Sequence, residues 1–119
     1  MSLVLVVAIT RSDALEAVEN NLRTVGVRGI TVTRVRGWGE CANLISEDHN
    51  VDRLKVEVFV DAHKARQVTD ALLETCHNDC LGDGVVAVLA VQEFLSARTC
   101  RDAIPEMPET SEAQFPGAN

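Results

Sequence analysis

The run Leu3-Val4-Leu5-Val6-Val7-Ala8-Ile9 constrains this chain more than any other feature. It is apolar throughout and of strand length, and Thr10-Arg11-Ser12-Asp13 closes it far short of the ~18 residues that a membrane-crossing helix needs. Successive side chains of a strand point to opposite faces, so Leu3, Leu5, Val7 and Ile9 line one side while Val4, Val6 and Ala8 line the other. Val85 to Val91 has the same character, with Val86 and Val88 alternating with Ala87 and Leu89. Two strands that are apolar on both sides require that both faces of their sheet be covered.

The segments between these strands supply the other elements. Asp13 with Glu16 three residues later has the form of a capping box, which opens a helix over Ser12 to Val25. Leu15, Val18, Leu22 and Val25 form its apolar stripe, and Gly26 is its C-terminal stop. Ile30 to Val35 is β-branched and alternating, and ends in Gly37-Trp38-Gly39. Residues 40–52 show no clear period. Alternation returns with Leu54, Val56, Val58 and Val60 on one face and Arg53, Lys55, Glu57 and Phe59 on the other. Asp61 can cap a second helix whose buried stripe is Ala65, Val68, Leu72 and Cys76, ended by Asn78 and the Leu81-Gly82-Asp83-Gly84 turn. A short piece around Glu93 to Ala97 follows the last strand.

The order β-α-β-β-α-β is the ferredoxin-like arrangement, an α+β fold with two helices on one face of a four-stranded antiparallel sheet. Two helices cover one face only. Leaving several aliphatic side chains wet on the other would forfeit a large share of a small domain's stability, at about 25 cal/mol per Å². The sequence therefore predicts a homo-oligomer whose sheets face one another.

Charge narrows the function. The 119 residues carry a net charge of −7, and four of the acids (Asp102, Glu106, Glu109 and Glu112) lie in residues 102–119, which hold no base. That segment also has all three prolines, so residues 1–101 read as the folded domain and 102–119 as a flexible acidic tail. A mildly acidic body argues against unaided nucleic-acid binding, although Arg98 and Arg101 remain candidates for one small anion. The N-terminus has no basic flank of a signal peptide, and the four cysteines read as reduced thiols, so the expected compartment is the cytoplasm, without membrane insertion.

Gly37-Trp38-Gly39 and Gly82-Asp83-Gly84 are glycine turns at strand ends, where bare amides can approach a phosphate; either alone is most simply a tight turn. With its flanks the first becomes more specific. Val27-Arg28-Gly29-Ile30-Thr31-Val32-Thr33-Arg34-Val35-Arg36-Gly37-Trp38-Gly39 resembles the segment of the PII signalling proteins that precedes their long T-loop. Leu54 to Val58, the Leu81 to Gly84 turn and Ala97-Arg98-Thr99 agree with the same family in order, so the resemblance spans residues 1 to about 104.

The resemblance implies a trimer with sheets lining its centre, adenine nucleotides in the clefts between subunits, and effector loops that change shape with the ligand. It places Gly29, Ile30 and Thr31 at the adenine and Gly37, Trp38 and Gly39 at the base of the T-loop. Glu57 and Phe59 fall beside that cleft, and Gly82, Asp83 and Gly84 match the phosphate-facing turn. Arg53 stands where the family often has a lysine, and Arg98 matches the second arginine of its C-terminal pair.

The departures define a divergent branch. Val85 replaces the phosphate-binding lysine that usually follows Gly-Asp-Gly, and Ser96 replaces the first arginine of the pair, so ADP or AMP is expected in preference to ATP. Cys41 stands in place of the T-loop glutamine that helps bind magnesium and 2-oxoglutarate, with Glu40 beside it in place of an arginine, which points away from 2-oxoglutarate sensing. The loop between Gly39 and Arg53 is shortened, and with no tyrosine in the chain the family's tyrosine uridylylation has no acceptor. Some PII-like branches respond to inorganic carbon in carboxysome-linked or bicarbonate-transport settings. Here Glu40 and Cys41, with Arg53 or Arg98, are the candidate bicarbonate site.

Cys76-His77-Asn78-Asp79-Cys80 contains residue types that bind zinc, but Cys76 and Cys80 on one helix face beside Leu72 read better as core. Cys41 and Cys100 form a candidate redox pair near the cleft, while His49 and His63 read as solvated and Trp38 as packing at the loop base. No nucleophile motif, Walker-type lysine or paired carboxylates support catalysis, so the expected function is a non-enzymatic regulator without a cofactor. Its target would be a transporter, an enzyme or a shell-associated protein. The alternative is a nucleotide-independent trimeric adaptor that responds to metal or redox state through its cysteines.

Overall fold

A computed structural model of the chain describes residues 2–37, 51–76, 84–99 and 101–102. Its elements are β1 (Leu3–Arg11), α1 (Leu15–Thr24), β2 (Thr31–Gly37), β3 (Val51–Asp61), α2 (Ala65–Cys76), β4 (Gly84–Val91) and a short pair, β5 (Leu95–Ser96) and β6 (Arg101–Asp102). The main sheet has the order β2-β3-β1-β4 with every pair antiparallel, which is the ferredoxin-like topology. The doubly apolar β1 therefore lies in the interior of the sheet.

Register divides the strands into the two faces that alternation predicts. Val6 lies opposite Val58 on one side and Val88 on the other, and Ala8 opposite Val56 and Val86. Val6, Ala8, Val56, Val58 and Val60 pack with Val18 and Leu22 of α1 and with Val68, Ala71 and Leu72 of α2 in one buried core. Asn21 on α1 ties the helices together by donating its side-chain amide to the Ala71 carbonyl at 3.4 Å.

The second face is not covered within a protomer. Leu5, Val7 and Ile9 are only half-buried, while Val85 is 63%, Leu89 47% and Phe59 39% exposed. Among the described residues, the Phe94 ring packs on Phe59 of this face, with centroids 4.7 Å apart.

Helix ends depart from expectation at one place. Asp13 does not cap α1: residues Ser12–Ala14 form a single 3-10 turn, no side chain caps either start, and Asp13 instead takes a bidentate grip from Arg11 at 2.6 and 3.1 Å. A carboxylate gains more from a guanidinium fork than from one backbone amide, so the nearby arginine wins. Asp61 does accept the His63 amide at 3.3 Å, but at a 3-10 turn over Ala62–Lys64 that precedes α2. The Glu93 to Ala97 piece joins a two-stranded ribbon that runs to Asp102, one residue past the expected domain edge.

Gly26 ends α1 as expected, and the geometry supplies the reason. Its φ is 96°, its amide bonds to the Arg23 carbonyl at 3.1 Å, and the Val27 amide reaches back to Leu22 at 3.0 Å, with Val27 and Leu22 both in the core. This is a Schellman motif, which needs a left-handed residue at that position. Gly26→Ala should lower stability by about 1–2 kcal/mol in urea denaturation, the cost of a left-handed side-chain-bearing residue. Leu72→Ala, which empties part of the core, should cost more, about 2–5 kcal/mol.

Candidate functional site

Three of the glycine and cation positions singled out in the sequence converge at one end of the sheet. Gly37 closes β2 opposite Val51, Arg53 lies near the start of β3, and Gly84 opens β4 opposite Thr10 of β1. Arg53 lies directly opposite Val35 on one side and Arg11 on the other. Trp38, Gly39, Glu40, Cys41, Gly82 and Asp83 lie outside the described residues.

A second group occupies the middle of the sheet. Thr31 pairs with Glu57, which pairs in turn with Val7, and Phe59 faces Leu5 two residues further along the same face. Gly29 and Ile30 lead into β2 and border a small pocket of about 80 Å³ with Glu19, Leu22, Arg23, Val27 and Arg28. Arg98 lies in the turn between β5 and β6, four residues after Phe94, whose ring packs on Phe59. Six residues of strand, about 20 Å, separate Phe59 from Arg53.

The glycines differ in what holds them. A Cβ on Gly84 would lie 2.6 Å from the Ile9 carbonyl oxygen and 3.3 Å from the Cys76 Cβ, so close packing of β4 on β1 and α2 already demands glycine there. At Gly29 and Gly37 an added Cβ would meet nothing within 4 Å among the described residues, and neither has a positive φ. Among the described residues, their lack of a side chain does nothing for packing.

Charge at the Arg53 end is arranged in pairs. Arg11 binds Asp13, and this hydrogen-bonded guanidinium holds the Asp13 carboxyl below the usual carboxylate range. The pair thus persists through neutral pH and is lost only as pH falls through that lowered value. Arg36 Nε reaches Asp52 at 3.3 Å, and Lys55 stands 3.9 Å from Glu57. The sequence reading missed Arg11, because only the register shows that the last residue of β1 falls beside Arg53.

Cys76 is buried against the core, which fits the packing role expected of it. His77, Cys80, Cys41 and Cys100 are outside the described residues. Among the described residues no cluster of His, Cys, Asp or Glu could hold a metal ion, and no helix is long and apolar enough to cross a membrane.

The family model of the nitrogen regulatory protein P-II matches residues 3–101. The chain belongs to the P-II family. Nitrogen regulatory protein P-II 2 of Methanothermobacter thermautotrophicus is 32% identical over 101 residues, covering 79% of this chain and 88% of that relative. Nitrogen regulatory protein GlnK2 of Haloferax mediterranei is 36% identical over 110 residues, covering 84% and 89%. Among solved structures, Arabidopsis thaliana PII bound to citrate superposes with a TM-score of 0.72 at 30% identity, covering 86% of this chain and 89% of that one. P-II proteins are typically trimeric regulators that act on target proteins rather than enzymes.

Gly84→Ala should destabilise the chain by about 1–3 kcal/mol, the usual cost of overpacking, read as a lower urea midpoint. Gly37→Ala should leave that midpoint unchanged or slightly raised, because alanine in a strand loses less backbone entropy on folding.

Proposed function

We propose that this P-II protein is a cytoplasmic homotrimer that binds adenine nucleotides in the clefts between subunits and reports their state to a target protein. The observation that carries the reading is the apolar face of the sheet that the two helices leave open, on which Val85, Leu89 and Phe59 are exposed beside Leu5 and Val7. Covering that face with other copies removes Leu5, Val7, Val85 and Leu89 from water.

The two unconstrained glycines support the same reading. Gly29 and Gly37 leave backbone open to close approach by a ligand or a neighbouring chain. Val85 and Ser96, standing where the family resemblance expects cations, weaken a triphosphate more than a monophosphate, which favours ADP and AMP. That the Arabidopsis relative was solved with citrate is in keeping with a fold that takes small anions, and bicarbonate is the small anion proposed here as a second effector. Such a ligand would link the protein to inorganic-carbon metabolism, with a transporter, an enzyme or a carboxysome-associated protein as target.

Light scattering should give three times the chain mass, and calorimetric titration should show micromolar binding of AMP or ADP that added bicarbonate alters. Binding indifferent to bicarbonate would keep the nucleotide sensor and remove its carbon specialisation. No heat with AMP, ADP or ATP, and no thermal shift, would leave the nucleotide-independent adaptor. Arg98→Ala should weaken nucleotide binding by at least about 1.5 kcal/mol if that arginine meets a phosphate, and unchanged affinity would remove it from the site.

A further inference from the structure

The outer edge of the sheet carries cations that the function proposed above does not use. β2 is the terminal strand and pairs with β3 on one side only. Arg34 and Arg36 lie two residues apart on one face of it, opposite Leu54 and Asp52, and both are exposed. Arg23, in the last turn of α1, and Arg28, just before β2, are exposed at the other end of the strand. They line the small pocket beside Gly29, where Glu19 is the one acid. Among the described residues Arg23, Arg28 and Arg34 make no side-chain hydrogen bond or ion pair, whereas Asp70 holds Arg66 at 3.1 Å. Arg36 has Asp52 at 3.3 Å, but the two side chains are 68% and 67% exposed, and such a pair is worth little. A chain of net charge −7 thus gathers four arginines along one edge.

The same chain carries a segment of opposite sign. The family match stops at residue 101 and β6 at Asp102, and residues 103–119 hold Glu106, Glu109 and Glu112 without a base. The three acids recur at every third residue, with Pro105 and Pro108 directly before the first two. Three residues make one turn of the extended helix that proline favours, at about 3.1 Å per residue, so this spacing predicts three carboxylates along one side over about 19 Å. β2, from Thr31 to Gly37, is about 20 Å long. The two also start close together. Asp102 pairs with Leu95, the residue after Phe94, whose ring packs on Phe59, and Thr31 lies opposite Glu57, two residues before Phe59. The described fold therefore ends at the end of the sheet where β2 begins.

We propose that the edge of β2 is a docking surface for this chain's own residues 103–119, with Glu106, Glu109 and Glu112 set against Arg28, Arg34 and Arg36. Charge, length and starting point agree on that one occupant. The docked segment covers an open strand edge, which otherwise offers its unpaired amides and carbonyls to any passing chain. Its hold is electrostatic and exposed, so salt releases it. The inference is independent of the nucleotide reading and stands whether or not a nucleotide binds.

Amide chemical shifts of the full chain, without nucleotide, test this. The native protein is compared with the triple variant Glu106→Gln, Glu109→Gln, Glu112→Gln and with the double variant Arg34→Gln, Arg36→Gln. Neutralising the acids should shift the amides of Thr31 to Gly37, and neutralising the two arginines should shift those of residues 103–119. Both differences should vanish in about 1 M salt, where the screening length is about 3 Å. A charge exchange, Arg34→Glu and Arg36→Glu together with Glu109→Arg and Glu112→Arg, should restore salt-sensitive shifts in both segments, whereas the arginine reversals alone should abolish them. Thermal melting of each variant checks that the fold is retained. Residues 103–119 indifferent to the arginine variants would overturn the proposal and leave the edge to an acidic segment of another protein. Shifts that persist in high salt, or that appear on α1 and α2 in place of β2 when the acids are neutralised, would overturn it as well.

Discussion

β1 is hydrogen-bonded on both edges and apolar on both faces, and the rest of the molecule is arranged around those two facts. Its pairing with β3 and β4 puts it in the interior of the sheet, where Val6 and Ala8 meet both helices and Leu5, Val7 and Ile9 face the other way. A chain with two amphipathic helices can cover one face of four strands. The other face is left with aliphatic side chains in water, and this imbalance is what makes a protomer of this kind a component of an assembly.

The same pairing assembles the end of the sheet where charge and glycine meet. Because β1 runs antiparallel to both neighbours, its last residues fall beside the first residues of β3 and β4. Arg11, Arg53 and Gly84 thus come from segments far apart in the chain. Gly84 is held by packing against Ile9 and Cys76, whereas Gly29 and Gly37 have open space around them among the described residues. Close strand packing therefore demands glycine at position 84, a demand that the described residues do not make at Gly29 or Gly37.

Much of this was legible in the residues. The alternation of Leu54, Val56, Val58 and Val60 predicts a strand with one buried face, and all four are buried. Gly26 stops α1 because only glycine takes a φ of 96° without strain, a local requirement that a sequence can signal. The Val27 to Gly39 segment, Leu54 to Val58, the Leu81 to Gly84 turn and Ala97-Arg98-Thr99 carry the family resemblance, which the match over residues 3–101 bears out. Asp13 shows the limit of such reading. Its spacing to Glu16 has the form of a capping box, yet a guanidinium two residues earlier offers a stronger partner, and the competition between the two is settled by geometry.

Local signals of period and turn thus determined the main elements, their order, the faces that β1 and β3 bury and the family to which the chain belongs. These depend on residues within a few positions of one another, so the sequence by itself carries them. The tertiary structure decided what lies beside what. That Arg11 opposes Arg53, that a Cβ on Gly84 would meet the Ile9 carbonyl, and that the Phe94 ring packs on Phe59 all depend on strand register and order. Register is set by the fit of whole faces against the helices, and a slip of one residue would turn every one of these side chains to the other side.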